Sequence, residues 1–140
     1  MYSVVLDTNV IVSGMRSRRG ASFRVLSLVG SGYFEHYLSV ALAFEYEDGI
    51  KRSGSAIRLP KRVVEDILDY LCASARQLEI HFLWRPTLPD PNDDMVLEVA
   101  VHGGCDAIVT YNVEDFRGAE LFGIKIIRPQ QLLNLIGGRT

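Results

Sequence analysis

The sequence predicts an α/β protein, a three-layer α/β/α sandwich in which helices cover both faces of a central parallel sheet of about five strands. The spacing of the apolar residues alternates between strand-like and helix-like segments in the order βα, βαα, βα, βα, βα, which is typical of a parallel sheet. The runs at 4–6 and 107–109 are apolar at each position, as expected of strands covered on both faces. A chain of 140 residues fits one domain, spanning residues 1–140.

Each element follows from a local pattern. Pro60 and Pro129 suit the first turn of a helix, where the missing N–H of proline costs nothing. Gly103 and Gly104 are a plausible helix end. In chain order, the predicted strands are 3–6, 34–39, 78–83, 107–110 and 124–128, and the predicted helices are 23–29, 40–51, 60–75, 94–102, a short acidic helix from 113, and 130–136.

The basic residues are clustered, although the net charge of −2 gives no general attraction to nucleic acid. Arg16, Arg18 and Arg19 lie in one predicted loop. If acids concentrate at a site and bases surround it, a polyanion is steered toward that site. The simpler interpretation is two solvated basic segments. The second segment holds Lys51, Arg52, Arg58, Lys61 and Arg62.

The sequence lacks the signals of an exported or membrane-bound protein. No apolar run approaches the roughly 20 residues that span a bilayer. The first residues carry no basic region and include Asp7, unlike a signal peptide. Cys72 and Cys105 lack metal-ligand spacing and are expected to be reduced thiols. We therefore expect a cytoplasmic protein without membrane contact.

Acidic side chains follow four of the predicted strands. In open parallel sheets, sites form beyond the carboxyl ends of the strands, so these acids are expected to converge. Converging carboxylates repel one another, and no Lys or Arg lies within these strand-end segments to offset the repulsion. A divalent cation with oxygen ligands, Mg²⁺ or Mn²⁺, is the simplest solution. Asp7, Glu45 and Asp115 follow the first, second and fourth predicted strands. The third predicted strand is followed by Asp90, Asp93 and Asp94.

Each acid also has a purely structural interpretation. Asp7 and Asp90 are in positions to cap helices, and Asp115 is in a position to stabilise a short turn. Glu45 is compatible with an ordinary helix surface. Only the joint placement of the acids favours a site, and the chemistry that such a site supports is metal-assisted attack of water on a phosphodiester.

Five segments carry recognisable motifs: VVLDTNVIVS at 4–13, LSVALAFEYE at 38–47, DPNDDMVLEVA at 90–100, AIVTYNVEDF at 107–116 and IKIIRPQQLL at 124–133. Together they resemble the PIN-domain family, particularly the toxins of prokaryotic toxin–antitoxin pairs. The resemblance implies a PIN-like α/β/α sandwich and an acidic Mg²⁺ or Mn²⁺ site that cleaves single-stranded RNA. By position, Asp7, Glu45 and Asp115 match the first, second and fourth family acids.

The resemblance also implies supporting residues, and it leaves the third acid open between two neighbours. Counting back from Ala100 favours Asp93, whereas counting back from Thr110 favours Asp94, and we prefer Asp93. Only one of the two is expected to face a metal, because neighbours on a helix diverge by about 100°. The polar residues that match the family's supporting positions, or lie beside them, are Thr8, Asn9, Thr110 and Asn112.

We therefore predict a metal-dependent endoribonuclease acting on single-stranded RNA, with Asp7, Glu45, Asp93 and Asp115 as catalytic acids. The implied partners are an antitoxin and a second copy of the chain. One departure from the family is that Phe44 and Tyr46 flank Glu45, which puts the RNA preference in doubt. The alternative is a catalytically silent PIN fold that binds RNA or protein. A phosphohydrolase is disfavoured, because the first strand is followed by Asp-Thr-Asn without a second carboxylate.

Overall fold

The computed structural model describes residues 1–80 and 88–137. Within these ranges a five-stranded sheet has the order β3-β2-β1-β4-β5, and the strand pairs are parallel. The strands are β1 (Tyr2–Leu6), β2 (Phe34–Leu38), β3 (Arg76–Gln77), β4 (Ala107–Val109) and β5 (Lys125–Ile127).

Within residues 1–80 and 88–137, six α-helices and three short 3₁₀ helices flank this sheet. The α-helices are α1 (Thr8–Arg16), α2 (Ala21–Leu28), α3 (Val40–Ser53), α4 (Lys61–Ser74), α5 (Pro91–His102) and α6 (Pro129–Gly137). The 3₁₀ helices are Gly54–Ala56, Val113–Phe116 and Ala119–Phe122. No helix in the described ranges is long and apolar enough to cross a membrane.

The centre of the sheet is also the centre of the core. Val4, Val5 and Leu6 in β1 are fully buried, as is all of β4. Because successive side chains of a strand point to opposite faces, burial at each position means that both faces are covered. The predicted three-layer sandwich with five parallel strands is confirmed.

The strand order fixes where a site can form. From β1 the chain builds outward through β2 to β3 and then returns to β4 on the other side of β1. The order therefore reverses between β1 and β4, where Leu6 is paired with Val109. Ligands of open α/β sheets bind beyond the carboxyl ends of the strands at such a switch point.

Two elements differ from the sequence prediction. The helix α1 was not predicted, because β-branched residues such as Val10 and Val12 favour strands and obscure its helical period. The third strand is Arg76–Gln77 rather than 78–83: residues 78–80 are not a strand, and 81–83 lie outside the described residues. Leu78 and Ile80, the first two apolar residues of the predicted alternation, are partly buried against the core without forming a strand.

Candidate active site

Asp7 lies directly after β1 and both of its carboxylate oxygens are held. Oδ1 accepts the Thr8 N–H at 2.8 Å, as an N-cap of α1, and Oδ2 accepts the Thr110 hydroxyl at 2.7 Å. The side chain is only 7% exposed. Burial raises the pKa of Asp7, the two hydrogen bonds oppose that rise, and the charges of Asp115 and Glu45 add to it. Asp7 is thus a helix cap and a member of an acidic cluster at once.

Thr110 follows β4 and joins the two strands on either side of the switch point. Its fully buried hydroxyl oxygen accepts the Asn112 N–H at 3.0 Å and the Asn9 side-chain amide at 3.3 Å. The side-chain oxygen Oδ1 of Asn9 in turn accepts the Tyr111 N–H at 3.3 Å. This network fixes the orientation of Asp7, since Asn9 and Asn112 hold its partner Thr110 in place.

The neighbours Asp93 and Asp94 at the start of α5 have different surroundings. The pKa of Asp93 is raised to about 7, first by burial and then by the charges of Asp7, Asp90 and Asp115, with Asp94 contributing least. Asp94 instead accepts the Leu88 N–H through Oδ1 at 2.9 Å. Asp93 is therefore the neighbour that is coupled to the acids of β1 and β4.

Glu45 in α3 is 9% exposed and pairs with Arg52, whose Nη2 lies 2.7 Å from Glu45 Oε1. The hydrogen bond and charge of Glu45 raise the pKa of Arg52, and the charges of Asp48 and Asp90 add to the rise. Arg52 was not predicted at the site, because it lies outside the strand-end segments. The signal that could have found it is the seven-residue spacing of Glu45 and Arg52, because residues two turns apart lie on the same side of a helix.

Asp115 lies on the 3₁₀ helix Val113–Phe116 and is exposed. It borders an open cleft of about 430 Å³ that Asp93 also lines. Asn112, beside it, is exposed. The cleft is the accessible side of the acidic cluster. Its lining is Pro89, Asp90, Asp93, Glu114, Asp115 and Arg117.

The donor set suits a hard divalent cation, because it consists of carboxylates, hydroxyls and amides. Burial and, after it, the charges of the neighbouring carboxylates raise the pKa of Asp93, and such a cation would offset that repulsion. Nevertheless, in the described ranges no three His, Cys, Asp or Glu side chains are gathered closely enough to hold a metal ion as they stand. The pairing of Glu45 with Arg52 turns one candidate ligand toward an internal cation instead.

The three arginines predicted to bind substrate border different surfaces. Arg16 ends α1 and lines a polar groove with residues that follow α3. Arg18 lines an apolar cavity of about 440 Å³ beside α2 and α4. Arg19 is exposed and its backbone N–H donates to the Ser17 hydroxyl at 3.1 Å.

The fold and the acidic cluster at its switch point define a class, an α/β protein with a carboxylate-lined site beyond the sheet edge. The chain belongs to the PIN domain family, whose model (PIN_3) matches residues 3–114. That match contains Asp7, Glu45 and Asp93 and ends one residue before Asp115.

Comparison with solved structures supports the same fold. One solved chain, from the crystal structure of VapBC2 from Rickettsia felis bound to a DNA fragment from their promoter, superposes with a TM-score of 0.57. The match covers 89% of this chain and 98% of that chain at 15% sequence identity. No curated protein sequence matches the chain.

Proposed function

We propose that this PIN domain is a Mg²⁺- or Mn²⁺-dependent endoribonuclease that hydrolyses phosphodiester bonds of single-stranded RNA. The observation that carries the proposal is the placement of Asp7. It is buried and held by Thr110 at the switch point; burial raises its pKa, and the charges of Asp115 and Glu45 add to the rise. A fold that keeps mutually repelling carboxylates at its ligand-binding edge implies a use for them.

The residues that would hold the cation are Asp7, Glu45, Asp93 and Asp115. Bound there, a divalent ion would lower the pKa of an attacking water and would offset charge that develops on the phosphodiester. The chain supplies the orientation: Thr8 and Thr110 fix the two oxygens of Asp7, and Asn9 supports Thr110. Asp115, the exposed member, borders the cleft through which a phosphodiester approaches.

We assign the third acid to Asp93 rather than Asp94. Asp93 lines the cleft with Asp115, and its pKa responds to Asp7 and Asp115. Asp94 already accepts a hydrogen bond from the backbone N–H of Leu88, a residue that precedes α5. We therefore expect Asp94 to order the start of α5 rather than to bind the ion.

We further propose that the chain is the toxin of a toxin–antitoxin pair, acts in the cytoplasm and forms a homodimer. Its family membership and its structural likeness to a chain of VapBC2 support an antitoxin partner. An apolar groove of about 820 Å³ between α3 and α4 offers surface for a protein to cover. At its edge Val40 and Phe44 are 67% and 63% exposed.

A second candidate is a catalytically silent PIN fold that binds RNA or protein. The observation that favours it is the Arg52–Glu45 ion pair, which compensates one acid without a metal. The two candidates differ in their response to added metal, because only the nuclease would then hydrolyse RNA.

The test is a panel of substrates offered to the purified protein with Mn²⁺ and with EDTA. We expect cleavage of mixed-sequence single-stranded RNA that requires Mn²⁺, with little action on duplex DNA or small phosphate esters. Metal-dependent hydrolysis of small esters alone would favour a phosphatase. Mn²⁺ binding without hydrolysis of any member of the panel would favour the silent module.

A further inference from the structure

A polar groove lies where α1 and α3 end, away from the acidic cluster. It has a volume of about 800 Å³. Apart from Ala56, its lining consists only of hydroxyl and guanidinium side chains. These are Ser13, Arg16, Ser17, Ser53, Ser55 and Arg58.

The groove is positively charged and its charges are uncompensated. No acidic side chain lines it. Among the described residues, neither Arg16 nor Arg58 forms an ion pair, in contrast to Arg52, Arg76 and Arg117. Guanidinium groups present several N–H donors in a planar fork that matches a phosphate. Such a lining therefore suits an anion with several acceptor oxygens.

Free hydroxyl donors accompany the two guanidinium groups. Ser17 and Ser53 are engaged locally, Ser17 with Arg19 and Ser53 with the Gly49 carbonyl at 3.0 Å. Ser13 and Ser55 form no side-chain hydrogen bond within the described part of the chain and line the same groove. Hydroxyls of this kind commonly contact phosphate oxygens in nucleic-acid complexes.

Two helices connect the groove to the acidic cluster. Asp7 caps the start of α1, and Arg16 ends it. Glu45 lies in α3, and Ser53 ends that helix. At 1.5 Å per residue, the eight residues from Glu45 to Ser53 rise about 12 Å, a distance that a short oligonucleotide spans. Arg52 lies between the two sites and already reaches Glu45.

We propose that this groove binds a backbone phosphate of the single-stranded RNA whose neighbouring phosphodiester lies at the acidic cluster. The proposal rests on the proposed function for its choice of polynucleotide. It gives the RNA a direction, along α1 and α3 from the acids toward Arg16 and Arg58. The alternative is that the two arginines have no ligand: Arg16 then only offsets the dipole at the end of α1, and Arg58 is solvated.

Binding of a fluorescent single-stranded RNA of about 12 nucleotides, in EDTA and at several salt concentrations, tests this proposal. The variant is R16Q/R58Q, and the control R24Q/K125Q removes two exposed charges that do not line the groove. We expect the variant to bind roughly tenfold more weakly. The slope of log K against log salt concentration should become shallower by about 0.7, the value for one lost phosphate contact on a single strand. R16K/R58K should restore most of the salt dependence.

Equal losses in the variant and the control would overturn the proposal, since general electrostatics would then explain both. An unchanged affinity in R16Q/R58Q, or no RNA binding by the wild type, would also overturn it. So would displacement of the RNA by inorganic phosphate at concentrations similar to those of competing RNA. The proposed function is scored separately by Mn²⁺-dependent cleavage. If wild type cleaves RNA and R16Q/R58Q binds RNA as tightly as wild type, only the groove proposal is contradicted. If RNA binding depends on the groove but no cleavage occurs, only the proposed nuclease activity is contradicted.

Discussion

Asp7 shows how a single residue serves structure and chemistry together. Its Oδ1 caps α1 and its Oδ2 accepts the Thr110 hydroxyl, so the backbone that shapes the fold also orients the carboxylate. A capping interaction contributes about 1 kcal/mol to stability. The capping and metal-binding interpretations of Asp7 are therefore compatible, and capping alone does not account for the network of Thr110 with Asn9 and Asn112.

At the residue scale, the titration of Asp93 makes a prediction about pH. The pKa of Asp93 in the folded chain is about 7, well above its ordinary value of 3.8. A raised pKa means that its contribution to stability is fully present below about pH 4 and is lost as the pH rises through 7. In EDTA, Asp93→Asn should therefore raise Tm by a few degrees at pH 8 and change it little at pH 4.

Thermal unfolding of wild type and variant at the two pH values measures this difference. Asp94→Asn is the matched control, because it removes the neighbouring carboxylate while the asparagine Oδ1 can still accept the Leu88 N–H. We expect it to lack the rise in Tm at pH 8 that Asp93→Asn shows. A stabilisation by Asp93→Asn that is equal at pH 4 and pH 8 would contradict an electrostatic origin.

Arg52 is the residue that most directly opposes metal binding. It pairs with Glu45 at 2.7 Å and feels the charge of Asp90. Arg52→Gln frees Glu45, so we expect a lower Tm in EDTA together with a several-fold higher Mn²⁺ affinity. Calorimetric titration with Mn²⁺ measures the affinity.

Lys51→Gln is the control for this variant. Lys51 immediately precedes Arg52 in α3, and it pairs with the exposed Glu47. It should leave Mn²⁺ affinity unchanged. Unchanged or weaker Mn²⁺ binding by Arg52→Gln would show that Glu45 does not exchange Arg52 for the ion.

At the element scale, close approach of α1 and α3 depends on Gly49. A Cβ added there would collide with the Thr8 methyl group, and Thr8 follows the capping residue Asp7. Gly49→Ala gains up to about 1 kcal/mol in helix propensity but overpacks a helix contact, which costs about 1–3 kcal/mol. We expect a net loss of about 1 kcal/mol and reduced cleavage, measured by urea unfolding and by the RNA assay.

Gly137→Ala provides the comparison, because a Cβ at Gly137 in α6 meets nothing within 4 Å. That substitution should be neutral or stabilising. If Gly49→Ala were as well tolerated as Gly137→Ala, the contact between α1 and α3 would not position Asp7.

The sequence predicted the elements whose patterns are strong and missed those whose identity depends on packing. The strands at β1 and β4 are wholly apolar, so their burial was evident, and prolines marked the starts of α4 and α6. The helix α1 is rich in β-branched residues and forms because Val10, Ile11 and Met15 are buried against the core. The strand β3 has two exposed residues, too few for any periodicity.

At the scale of the whole molecule, the strand order explains why the site was predictable at all. The reversal between β1 and β4 brings Asp7 and Thr110, which are 103 positions apart, into hydrogen-bonding contact. Counting acids at strand ends anticipates this convergence. It does not anticipate Arg52 or the groove at Arg16 and Arg58, because those depend on how two helices lie side by side.

We propose that the cluster around Asp7 binds a divalent metal ion and cleaves RNA with it, and a comparison of three proteins tests this. Mn²⁺-dependent cleavage of single-stranded RNA is measured for wild type, for Asp7→Asn, and for Glu47→Gln, which removes an exposed acid outside the cluster. We predict activity in wild type and Glu47→Gln and a loss of at least a hundredfold in Asp7→Asn. Equal cleavage by Asp7→Asn and wild type, with both proteins folded, would contradict the claim.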